Sequence, residues 1–128
     1  VWPGRDDRLA RLRAALQVAC RQPAPIVRGD LTHTLAPLLH QLPAETTPVV
    51  FHSAVLPYLS ESDRREFTAL VQEAPCHWIA NEAPATLPEV HAALPPAAPF
   101  RTGEFVVALD GRPMAVAAPH GRYLRWLS

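Results

Sequence analysis

Hydrophobic and polar positions alternate with two different periods along this chain. Over residues 5–21, Leu9, Leu12, Leu16 and Ala19/Cys20 recur at helical spacing while Arg8, Arg11, Arg13 and Gln17 fill the remainder, which predicts an amphipathic helix with a solvated basic face. Asp6 and Asp7 favour the positive end of its dipole, and Pro23 lies just past its end. Residues 25–28 form a short strand candidate that breaks at Gly29-Asp30. A second helix is expected over 31–42, with Leu31, Leu35, Leu38 and Leu42 on one side. Either Asp30 caps it and Pro37 kinks it, or Thr34 is the cap and Pro37 falls in the first turn.

The run Pro48-Val49-Val50-Phe51-His52 is continuously apolar up to its last residue, the pattern of a buried parallel strand. Ser60-Glu61-Ser62-Asp63 reads as a capping box, followed by Phe67, Leu70, Val71 and Ala74 at helical period. Residues 76–80 are a further strand candidate ending in Asn81-Glu82, and the Ala- and Pro-rich stretch 83–99 reads as a loop with one short helical turn. Residues 104–109 and 112–118 are strands joined by Asp110-Gly111, a two-residue hairpin signal, and 122–127 is a third strand. Strands alternating with helices predict a parallel α/β sheet, and the antiparallel meander at the end makes it mixed.

Composition narrows the function. The 128 residues are 48% hydrophobic and 19% charged, enough apolar material for one folded α/β domain. Twelve acidic residues balance twelve basic ones, all arginine, so neither a sequence-independent nucleic-acid binder nor a polybasic membrane binder is expected, and lysine chemistry is excluded. No apolar run approaches a membrane span, and the charged start is no signal peptide, so the cytoplasm is the expected location. Cys20 and Cys76 have no metal or redox spacing and are expected to be free, mostly buried thiols.

Ligands of open α/β sheets bind at the carboxyl ends of strands. That rule selects Gly29 and Asp30, His52 and Ser53, and Asn81 and Glu82 as candidates, although Asp30 is also a natural helix cap and Asn81-Glu82 a natural turn. Neighbouring His52 and Ser53 point to opposite faces of a strand and are no nucleophilic dyad. The six histidines show no zinc-ligand pattern, and no metal site is expected. No two of the five glycines form a phosphate-cradling loop. The aromatic residues read as core packing.

Several segments together resemble a known family. They are the opening Val1-Trp2-Pro3, the stretches 26–30 and 49–59, Trp78-Ile79-Ala80-Asn81-Glu82, and the closing 119–127. This set is similar to the C-terminal part of a bacterial family of unknown function, domain of unknown function 2332, over essentially the whole chain. That family in turn looks like class I methyltransferases with a Rossmann-like sheet. The resemblance implies that 26–30, 49–53 and 76–82 match the third, fourth and fifth strands, and that the Asp110-Gly111 hairpin joins the sixth and seventh. It places Asp30 at the adenine of S-adenosylmethionine, and His52 and Ser53 at its methionine end, so the expected cofactor-binding residues are Gly29, Asp30, His52 and Ser53. The chain departs from such enzymes in lacking the glycine-rich first strand and the ribose-binding acid of the second, which usually lie between the third and fourth. It must then pair those strands directly, recruit a partner, or be the C-terminal part of a longer Rossmann-like protein.

The expected fold is therefore a single Rossmann-like α/β domain over residues 1–128, a mixed sheet with helices on its faces. Two functions follow: a partial methyltransferase-like protein that binds S-adenosylmethionine and a small-molecule substrate in its full-length form, or a non-catalytic α/β scaffold or interaction module without cofactor. Unpaired sheet edges make a homodimer the expected assembly.

Overall fold

The computed structural model describes residues 6–96 and 100–127. The opening Val1-Trp2-Pro3 and the end of the Ala- and Pro-rich stretch, 97–99, lie outside the described residues. Helix α1 spans Asp6–Arg21, with the two aspartates in its first turn and Arg21 in its last, as the helix dipole favours. It buries none of its side chains: Leu12, Leu16 and Val18 are 42–62% exposed. Its apolar stripe is thus uncovered, and Cys20, expected to be mostly buried, is exposed on it.

Residues 22–30 form no strand, which corrects the expectation for 25–28. Ile26 is 94% exposed and no neighbouring strand pairs with it. Pro23 and Pro25 remove two of the amide donors a ladder would need, and the apolar Ile26-Val27 pair alone cannot supply the missing partner. Helix α2, Leu31–His40, starts at Asp30, whose carboxylate accepts from the Thr32 amide, so Asp30 rather than Thr34 is the cap and Pro37 lies inside the helix.

Strand β1 is Val49–Ser53, helix α3 is Glu61–Glu73 and strand β2 is His77–Glu82. Ser60 caps α3 by accepting from the Asp63 amide at 3.2 Å, the first half of the predicted capping box. A short helix α4, Pro88–Ala92, leads to the antiparallel strands β3, Phe105–Leu109, β4, Arg112–Ala117, and β5, Leu124–Trp126. The β3–β4 hairpin turns on Asp110 and Gly111, both at positive φ (50° and 79°), the type I′ turn whose twist matches that of the strands.

The five strands lie in sequence order; β1 and β2 are parallel, and every other pair is antiparallel. β1 therefore sits at an edge. The buried parallel strand expected for 48–52 is instead half exposed, with Phe51 at 77%, because only β2 flanks it.

Alternation along the strands separates two faces. Trp78 and Ala80 of β2 and Val106 and Ala108 of β3 form one buried cluster with Phe67 and Val71 of α3. Val90 of α4 belongs to the same cluster, and Leu31 and Leu35 of α2 pack against it. Helices α2, α3 and α4 thus cover one face. On the other, Val49, Phe51, Ile79, Leu109, Leu124 and Trp126 expose between 36% and 77% of their surface.

Candidate functional site

The helix-covered face contains an acid. Period-two alternation in β2 puts Glu82 on the same side as Trp78 and Ala80, and its side chain is only 1% exposed. His52, across the parallel β1–β2 pair, points to this side too, 6% exposed. Its Nδ1 lies 2.7 Å from Glu82 Oε1, and the indole Nε1 of Trp78 lies 2.9 Å from His52 Nε2. An indole N–H can only donate. His52 Nε2 therefore accepts, Nδ1 carries the proton, and the imidazole donates to an ionised Glu82.

The chain leaving β1 completes the network. Ala54 adopts a positive φ of 53°, and beyond it the amides of Val55 and Leu56 both donate to Glu82 Oε1, at 2.9 and 3.3 Å. Burial pushes the Glu82 carboxyl up, but the hydrogen bonds from His52, Val55 and Leu56 together outweigh it and hold the carboxyl below its ordinary range. Its Oε2 is buried without a partner. Phe67 meets His52 edge to face at 5.4 Å and Trp78 at 6.3 Å, sealing the group from above. Both ring nitrogens of His52 are committed inside the protein, so it offers no lone pair to a bound molecule while the network holds.

Gly29, Asp30 and Ser53 are not brought to this network. Asp30 Oδ1 accepts from the Thr32 amide and hydroxyl at 2.9 and 2.6 Å, and those bonds hold its carboxyl low. The Thr34 hydroxyl donates to the Asp30 carbonyl, and its methyl lies where a Cβ on Gly29 would fall, which explains the glycine there. Ser53 lies on the opposite face of β1 from His52 and accepts from its register partner, Asn81 Nδ2, at 2.9 Å. Of the four residues, His52 alone belongs to a buried polar cluster, and its partners are Glu82 and Trp78. The sequence carried a signal for this cluster: a glutamate two residues from Ala80 and four from Trp78 on one strand face.

Two further carboxylates tie loops to the sheet. Asp110 accepts from the Trp78 amide at 2.7 Å and lies 3.0 Å from His77 Nδ1, contacts that lower its pKa. Glu104, 3% exposed, accepts from the Tyr123 hydroxyl and from the Arg101 amide, with Arg125 3.6 Å away, and is held low in that order of effect. Among the described residues, no three His, Cys, Asp or Glu side chains are grouped to hold a metal ion. No described helix is long and apolar enough to cross a membrane.

These features define a mixed α/β sheet protein, helix-covered on one face, with a buried His–Glu–Trp network at its parallel pair. Residues 1–126 match the model of the family described as "Uncharacterized protein conserved in bacteria", domain of unknown function 2332, and the chain belongs to that family. No curated protein and no solved structure matches it.

Proposed function

We propose that this chain is a non-catalytic association module that self-associates through the open face of its sheet. The observation that carries this reading is the exposed set Val49, Phe51, Ile79, Leu109, Leu124 and Trp126, with Phe51 at 77% and Trp126 at 69%. These side chains expose roughly 600 Å² of apolar surface, as much as the largest patch on a typical monomer. Two copies meeting through it would bury about 1,200 Å², the lower bound of a stable interface. The unpaired β1 edge borders the same patch and favours the same association. The pairing of His52, Ser53 and Asp30 with protein partners supports a scaffold rather than a catalytic role.

Sedimentation velocity of the purified chain at micromolar concentration tests this. The wild type is expected to be a dimer, and the double variant Phe51→Ser, Trp126→Ser a monomer with an unchanged far-ultraviolet spectrum. A monomeric wild type, or a double variant that stays dimeric, overturns the reading.

One observation favours a second reading, a Rossmann-like parent that binds S-adenosylmethionine. One of the two sheet edges is β1, the strand that the methyltransferase resemblance equates with the fourth, beside which the two absent strands would lie. S-adenosylhomocysteine added to a labelled sample distinguishes the two. The association reading expects no shift of the Gly29, Asp30, His52 and Ser53 amides, and saturable shifts there favour the cofactor.

A further inference from the structure

The helix-covered side of the sheet holds a cleft of about 560 Å³, within the size range of sites for small molecules. Ala85 and Pro88, exposed at the entry to α4, form an apolar wall, with Leu87, Val90 and Trp78 buried behind them. The opposite wall is α3, where Arg64, Thr68 and Gln72 recur every four residues and so form one row along the helix. None of Gly29, Asp30, His52 and Ser53 lines it.

Arg64 is the unusual member of that wall. Its Nε is buried and has no hydrogen-bond partner. The adjacent Arg65, by contrast, is exposed and pairs with Glu61 at 3.5 Å. A guanidinium stays charged at any pH a protein tolerates, and removing one of its N–H groups from water without an acceptor is costly. Buried donors of this kind are normally satisfied, and an orphan on a side chain that lines a cleft is the reason to infer an acceptor from outside. The Arg64 Nε is shut off from the cleft, so such an acceptor would reach it on rotation of the guanidinium.

We propose that this cleft binds a small organic carboxylate, with the anionic group on Arg64 and the apolar body against Ala85 and Pro88, over the buried Leu87, Val90 and Trp78. The planar guanidinium fork matches a carboxylate, and the apolar walls select a hydrocarbon or aromatic remainder. Glu61 and Glu89 also line the cleft; Arg65, another lining residue, offsets Glu61 at 3.5 Å, which leaves Glu89 to oppose the second negative charge of a phosphate dianion. The site lies on the opposite side of the sheet from the association face and stands independently of it.

The test is a titration of the isotope-labelled chain followed by NMR, reading the Arg64 Nε–H and Trp78 indole signals and the Leu87 and Val90 amides. Benzoate, 3-phenylpropionate and hexanoate are the probes; 3-phenylpropionamide and inorganic phosphate are the comparators. At least one carboxylate is expected to give saturable shifts at all four positions below about 10 mM. The amide, phosphate and the Arg64→Gln variant are each expected to bind at least about tenfold more weakly. Arg64→Lys, which keeps the charge but loses the fork, should fall between. Signal dispersion in each variant confirms that it is folded. No saturable shift with any of the three carboxylates overturns the proposal, and so does Arg64→Gln binding like wild type. Phosphate binding as tightly as the best carboxylate overturns it in favour of an adventitious anion contact. The Phe51→Ser, Trp126→Ser variant should bind as wild type does, which separates this result from the association state.

Discussion

Replacing Glu82 tests the buried network most directly. Its Oε1 accepts from His52 Nδ1 and from the Val55 and Leu56 amides, and the residue is 1% exposed. Glu82→Ala leaves the His52 and Leu56 donors buried without an acceptor, at about 1–3 kcal/mol each, so a total loss of about 2–6 kcal/mol is expected. That is a large share of the roughly 5–15 kcal/mol that holds a domain of this size folded. Glu82→Gln keeps an acceptor and the volume but replaces charge-assisted bonds by neutral ones, for a loss of about 1–2 kcal/mol. Urea unfolding at pH 7, followed by far-ultraviolet circular dichroism, measures both. The pH dependence follows from the lowered Glu82 pKa. A depressed carboxyl stabilises the fold above its unfolded-state pKa and loses that contribution as the pH falls through the folded value. The margin of wild type over Glu82→Gln should therefore hold from pH 7 to 6 and shrink below about pH 4. A Glu82→Ala variant within about 1 kcal/mol of wild type at pH 7 would refute the reasoning, because it would mean that these donors find water instead.

Substitutions at three other positions probe the elements that frame the site. Gly111→Ala should cost about 1–2 kcal/mol in the same unfolding assay. Its φ is +79°, and the added Cβ meets only Gln72 Nε2 at 4.0 Å, so the loss is conformational rather than steric. Ser60→Ala removes the α3 cap and should lower stability by about 1 kcal/mol, with Ser60→Gly costing only a few tenths. Phe67→Ala empties a fully buried position that touches both His52 and Trp78 and should cost about 3–5 kcal/mol. A shift of the Trp78 indole signal, read by NMR, should accompany it.

Local patterns gave the elements, and tertiary contacts gave their environments. The helical period at Phe67 and Val71, the Ser60 cap and the Asp110-Gly111 turn were all legible, because capping and hairpin turns are decided within a few residues of chain. The strand expected at 25–28 failed for the complementary reason: two apolar residues after Pro25 have strand composition, but a strand exists only where another offers its hydrogen bonds. Burial of β1 was misjudged on the same ground. Its apolar run fits a strand covered on both sides, and only the sheet order places it at an edge.

The candidate site divides in the same way. His52 at the end of its strand could be picked out from position alone, and Glu82 from its place after the next strand. The parallel register then joins them, because it sets Ser53 opposite Asn81 and turns His52 and Glu82 together into the core. Arg64 carried no distinguishing sequence signal, being one of twelve arginines on a chain of zero net charge. Only the folded chain sets α3 and the start of α4 around one cleft and buries the Arg64 Nε without an acceptor. Sequence alone determined helices, turns and the alternation of strand faces, since these depend on covalent neighbours and period. Which carboxylate is buried, which histidine is fully engaged and which apolar face stays open depend on residues 26 to 33 positions apart meeting across the sheet, and only the tertiary structure decides those.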